Sequence, residues 1–166
     1  MGSFMLNGRK QKIFMLNGQP YGFIVNDLQY LVYGEQDTDQ DNWRRGTNLP
    51  MDYITPKCNE YNHFLEYNST NNNFVVKQAF TGIINGWVYN AYSSQQRPYI
   101  QIRINNEIIR TTSASSAQGA KGGDYVIYNF EVGNTISLYN SEDQGWGFGR
   151  IKIYRLLDNS IIDLNE

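Results

Sequence analysis

Three aspartates at alternate positions, Asp37, Asp39 and Asp41, form the most chemistry-like motif in the chain. Carboxylates at that spacing open a calcium loop, whose full form needs glycine at its sixth position and glutamate at its twelfth. Asn42 and Asn48 stand at those places, so the segment reads as a solvated acidic loop and no metal site is assigned. Cys58 and His63 are each the sole residue of their type. They cannot assemble a zinc site within one chain. A Ser-His-Asp triad would have to use His63, and no nucleophile-elbow motif accompanies it. Glu142 and Asp143 adjoin Trp146 on one loop, whereas glycosidase carboxylates converge from different elements at a set separation. No catalytic residue and no cofactor is expected, and the chain reads as a non-enzyme.

Contact chemistry is better represented. Trp87, Trp146 and Phe148 have the type of a sugar platform. Trp87 falls in a strongly alternating strand, where packing in a core or between subunits accounts for it. Trp146 sits between glycines, as a bulky residue does when it folds over a sheet edge. Binding residues concentrate on loops held by a rigid scaffold. Two segments fit: Trp43, Arg44 and Arg45, and the stretch from Tyr92 through Gln95, Gln96 and Arg97. An aromatic face, an amide and a guanidinium can stack on a sugar ring and hydrogen-bond its hydroxyls. Tyr92, Gln96, Arg97, Trp43 and Arg45 are the ligand candidates, with an ordinary exposed turn as the competing explanation.

The elements that must hold these loops are strands. Tyr99 to Ile104 puts three isoleucines on one face and Tyr99, Gln101 and Arg103 on the other. Val126, Tyr128 and Phe130 alternate in the same way, as do Ile136 with Leu138 and Ile151 with Ile153. Period-2 alternation marks half-buried strands. Several of them with Asn/Gly turns between argue for an antiparallel all-β sandwich or barrel. Asn105-Asn106 reads as a tight turn, and the tail is expected to add a short strand at Ile161-Ile162.

Phe4-Met5-Leu6-Asn7-Gly8 recurs as Phe14-Met15-Leu16-Asn17-Gly18. Asn-Gly between apolar runs is a strong hairpin signal, predicting a hairpin over Lys12 to Val25. Two strands alone are marginal, so the hairpin must pack on something. Ile13, Phe14, Leu16, Phe23 and Val25 are its expected assembly residues. The predicted division is 1–25 as an attachment or oligomerisation hairpin, 26–47 as a polar connector and 48–166 as the sandwich. Within the connector, Asp27 to Tyr33 is ambiguous between a strand and a helical turn.

Fourteen basic and sixteen acidic residues leave a net charge of −2, which argues against a nucleic-acid partner. One cysteine excludes an internal disulfide. No apolar run is long enough for a membrane helix, and the N-terminal stretch lacks the apolar core of a secretory signal. Thirteen tyrosines and few charges describe a polar, aromatic surface suited to sugar contact, to self-association or simply to a β-protein.

The run Asn48 to Ile54, then Phe74 to Phe80, Gly86 to Asn90, Arg97 to Ile102, Gly145-Trp146-Gly147 and Ile151-Lys152-Ile153 resembles a known pattern. It is similar to the C-terminal jelly-roll-like domain of bacteriophage virion proteins found on tail fibres, baseplates and head fibres. The resemblance covers roughly residues 48 to 156 and consists of strand and turn patterns. It implies a jelly-roll β-sandwich like the tumour-necrosis-factor modules, usually a homotrimer, exposed on a virion and often touching the host surface. Such a protein is made in the host cytoplasm and binds other virion proteins, with a cell-surface saccharide or protein as a further partner. The Lys12 to Val25 hairpin is similar to the short elements by which such proteins attach. The expected function is therefore a phage structural protein: a fibre, spike or baseplate tip with a receptor-binding role. An assembly or decoration protein without a host ligand, and a bacterial carbohydrate-binding module or lectin, are the alternatives.

Overall fold

The computed structural model describes residues 3–6, 9–16, 19–24, 28–36, 46–55, 63–91, 97–141, 147–157 and 161–163, the first three ranges and the last by backbone alone. The described residues form fifteen strands and no helix, and every paired ladder is antiparallel. Three belong to the N-terminal region: β1 (Ser3–Leu6), β2 (Arg9–Leu16) and β3 (Gln19–Ile24). Eleven follow: β4 (Leu28–Glu35), β5 (Thr47–Asn48), β6 (Tyr53–Thr55), β7 (Leu65–Asn68), β8 (Asn73–Val76), β9 (Phe80–Asn90), β10 (Tyr99–Ile104), β11 (Glu107–Ser113), β12 (Lys121–Phe130), β13 (Thr135–Asn140) and β14 (Gly147–Leu156). The last is β15 (Ile161–Asp163).

Two sheets make the sandwich. One runs β12-β9-β14-β4-β6; the other runs β11-β10-β13-β8-β7, with β5 added beside β13. After β4 the chain passes repeatedly from one sheet to the other, and only the β7–β8 and β10–β11 hairpins stay within a sheet. That is an antiparallel sandwich of the kind expected from the alternating segments, and it fits the jelly roll that the resemblance implied. Ile100, Ile102 and Ile104 of β10 point inward, as do Ile84 and Val88 of β9, Ile136 and Leu138 of β13, and Ile151 and Ile153 of β14. Each such side chain, fully removed from water, contributes about 1.5–3 kcal/mol. Gly86 faces the same interior: a Cβ there would come 3.0 Å from both Ile102 and Leu138, so the two sheets approach through it.

Turn chemistry follows the residues. Asn105 and Asn106 both take positive φ, the mirror-image hairpin turn whose twist matches its strands. Asn72 does the same between β7 and β8.

Two boundaries differ from the expected division. The supposed connector contains β4, an inner strand hydrogen-bonded to β14 and β6. Its register shifts between Ile153 and Tyr154 of β14, where Val32 and Tyr30 are the partners and Leu31 is the extra residue. Leu31 and Val32 are therefore buried side by side, which breaks the period-2 pattern and accounts for the ambiguous reading. At the other end, β15 is present where a short strand was expected, but it pairs with β3 and not with the sandwich. The N-terminal hairpin is accordingly part of a four-stranded sheet, β1-β2-β3-β15. The first copy of the repeat contributes to β1, and Leu16 pairs with Gln19, while Asn17 and Gly18 of the expected turn lie outside the described residues.

Candidate functional site

The outward face of the β12-β9-β14-β4-β6 sheet gathers side chains that no single stretch of sequence displays. Alternation sends Asn85, Trp87 and Tyr89 of β9 outward while Ile84 and Val88 fill the core. On β14 the outward set is Phe148, Arg150, Lys152 and Tyr154. Register then aligns them in rows across the strands. One row runs Gly123, Trp87, Arg150, Glu35 and Tyr53; the next runs Tyr125, Asn85, Lys152, Tyr33 and Thr55. Gly123 leaves room for its neighbour, since a Cβ there would lie 2.8 Å from that of Trp87.

Aromatic rings and cations interleave. Tyr89 and Phe148 stack at 4.7 Å, nearly parallel at 8°. The Arg150 guanidinium lies 4.4 Å from the Tyr89 centroid and 5.1 Å from that of Phe148, and Nη1 donates to the Tyr89 hydroxyl at 2.9 Å. Lys121 sits 4.9 Å over the Tyr89 ring. Lys152 lies 5.5 Å from Trp87 and 5.8 Å from Tyr33, whose ring is 6.2 Å from Trp87 and 6.4 Å from Tyr53. Cations over ring faces are attracted by the ring quadrupole, more strongly once water is excluded.

Glu35 is the carboxylate of this network. It pairs with Arg150 and accepts the Tyr33 hydroxyl proton in a hydrogen bond. Both of its carboxylate oxygens are thereby engaged. Beyond it the face turns apolar. Ile83 and Leu156 are buried there, with Leu28, Tyr125, Ile127 and Tyr154 packed around them. Tyr30 meets Tyr154 at 5.5 Å and stays 41% exposed; Tyr53 is 59% exposed.

Phenol acidity reflects these surroundings. Burial, then the hydrogen bond to Glu35, raises Tyr33 well above the ordinary tyrosine range. Burial likewise raises Tyr30, Tyr67 and Tyr154. At Tyr89 burial also acts upward, but contacts with Lys121 and Arg150 outweigh it and the net shift is down. A phenol held above its unfolded pKa contributes stability in full below pH about 10 and loses it as pH rises further. Tyr33→Phe is therefore expected to reduce the fall in stability between about pH 10 and 12, measured by urea unfolding at fixed pH values. An unchanged slope would show that Tyr33 is not ionising against the fold.

The expected ligand residues come together only in part. Arg97 is exposed just before buried Pro98 and β10. Tyr92, Gln96, Trp43 and Arg45 lie outside the described residues, as do the Asp37, Asp39 and Asp41 motif and the Glu142, Asp143 and Trp146 loop. His63 is exposed. Among the described residues no group of three or more His, Cys, Asp or Glu is placed to hold a metal ion. Of the expected assembly residues, the β2–β3 register puts Phe14, Leu16 and Phe23 on one face and Ile13 on the other; Val25 is outside the described residues. Trp87, read above as packing in a core or between subunits, and Phe148 belong to the outward face. Sequence reasoning missed Tyr33, Glu35, Arg150 and Lys152. The polar partners of the Ile151/Ile153 alternation were the available signal for the last two.

On the opposite sheet, Arg103 lies 3.2 Å over the Tyr139 ring and donates from Nε and Nη2 to Gln101 at 2.9 and 2.6 Å. It is a smaller cluster of the same cation-and-ring kind.

No protein-family profile matches the chain, and no curated protein sequence does. Solved structures do match. The globular domain of zebrafish complement 1qA protein aligns over 79% of this chain and 100% of its own, at 5% identity and a TM-score of 0.57. The Eiger tumour necrosis factor of S. frugiperda aligns over 78% and 94%, at 10% identity and a TM-score of 0.59. Two antiparallel sheets, their strand order and these likenesses establish an all-β jelly-roll sandwich, the fold also seen in those two structures.

Proposed function

We propose that this chain is a non-enzymatic structural protein of a phage virion, assembled as a homotrimer, with the outward face of the β12-β9-β14-β4-β6 sheet as the surface buried between subunits. The carrying observation is that face itself. Trp87, Tyr33, Tyr53, Tyr89, Phe148 and Arg150 sit together on it, with an apolar end around Ile83 and Leu156. Tryptophan, tyrosine and arginine are the types enriched where protein interfaces carry their energy. The number three and the virion setting come from the sequence resemblance to phage fibre and baseplate domains, and the jelly-roll fold supports it. On this reading the protein is an exposed fibre, spike or baseplate tip. Immunogold labelling of intact particles tests the setting, and absence of label from disrupted and intact particles alike would refute it.

A second reading adds receptor binding at loop tips, favoured by exposed Arg97 ahead of a rigid strand. Replacing Tyr92 and Arg97 together by alanine is expected to abolish cell or glycan binding while leaving the oligomer intact. Unchanged binding would remove this loop from the site. A dissociated oligomer would assign it to assembly, and binding by a monomer would favour a carbohydrate-binding module.

A further inference from the structure

The four-stranded sheet β1-β2-β3-β15 has apolar residues on both of its faces. Register places Phe14, Leu16, Phe23 and Ile161 on one face and Ile13, Met15, Ile24 and Ile162 on the other. An antiparallel sheet ordinarily keeps one face polar for water. Its edges are also complementary. Among the described residues β1 and β15 are each paired on one side only. Strand direction alternates across the sheet, so β1 and β15 run oppositely.

We infer that this sheet is a second subunit contact, in which β1 of one copy pairs with β15 of the next copy of the same chain and the sheets close head to tail into a ring. Antiparallel pairing of Ser3 with Asp163, Phe4 with Ile162 and Met5 with Ile161 uses all of β15. It also keeps each face continuous, because Ser3 and Met5 share the face of Ile161 and Asp163. In that register Asp163 shares a row with Ser3 and Lys12 of the neighbour, so residues of opposite charge stand about 10 Å apart across the joint. A head-to-tail contact of this kind ends its open edges only when the rotation closes, and closure encloses one face, with its apolar residues, inside the ring. The inference rests on the homo-oligomer proposed above for the identity of the partner, but not on which sandwich face is buried.

The test is disulfide trapping in the full chain with Cys58→Ser. Met5→Cys is combined with Ile161→Cys, and separately Ser3→Cys with Asp163→Cys. Within one copy β1 and β15 are three strand spacings apart, about 14 Å, beyond the roughly 7 Å a disulfide spans. Any bond formed therefore joins two copies. Oxidation is expected to convert most of the protein into a covalent trimer on a non-reducing gel, reversed by reductant. A native trimer that yields no interchain disulfide from either pair would overturn the inference and leave the sandwich contact standing. A native monomer would overturn both.

Discussion

Trp87→Ala is expected to weaken the proposed trimer strongly without unfolding its chains. Trp87 is central in its row, between Gly123 and Arg150, with Lys152 5.5 Å from its ring and Tyr33 6.2 Å away. Truncating an aromatic anchor of this kind costs about 2 kcal/mol or more at an interface. A closed trimer has three such contacts, so the loss is about 6 kcal/mol, or roughly four orders of magnitude in the overall dissociation constant. The sandwich does not depend on Trp87 in the same way, since its side chain points away from Ile84 and Val88. Circular dichroism should keep its strand signature while sedimentation shows dissociation at concentrations where the unmodified chain stays assembled. A variant that dissociates over the same concentration range as the unmodified chain would remove this face from the contact.

The largest expected effect on folding comes from Phe130→Ala. Phe130 is 2% exposed and closes one end of the core, with Phe80 at 4.8 Å and Tyr128 at 5.1 Å. Phe80 in turn meets Phe64 edge-on at 5.8 Å. Removing the ring loses its transfer energy and leaves a cavity in the core against Phe80. The cost is about 3–5 kcal/mol. For a chain of this size each kcal/mol lowers Tm by about 2–4 °C, so a fall on the order of 10 °C is expected at matched concentration. A loss under about 1 kcal/mol would mean that the aromatic end is not part of the cooperative core.

Much of the sandwich was legible because its strands are half-buried. Tyr99 to Ile104 and Ile151 to Ile153 alternate cleanly, and Asn105-Asn106 supplies the turn that positive φ requires. β4 was not legible because a bulge puts Leu31 and Val32 on the same side of the chain. A strand whose alternation is broken looks like a polar connector with a few apolar residues in it. The outward face was legible residue by residue but not as a site. Glu35 and Arg150 are 115 positions apart, and only the β4–β14 register sets them opposite each other. Tyr33 and Trp87 meet for the same reason, through β14 between them. β15 was read as a strand from its isoleucines, but partner choice is a property of the whole fold, and three residues carry too little pattern to specify it.

Sedimentation equilibrium on the unmodified chain tests the central claim most directly. The account predicts a single species of three 19.2 kDa chains at micromolar concentration, persisting on dilution. A stable species of one chain under those conditions would contradict it.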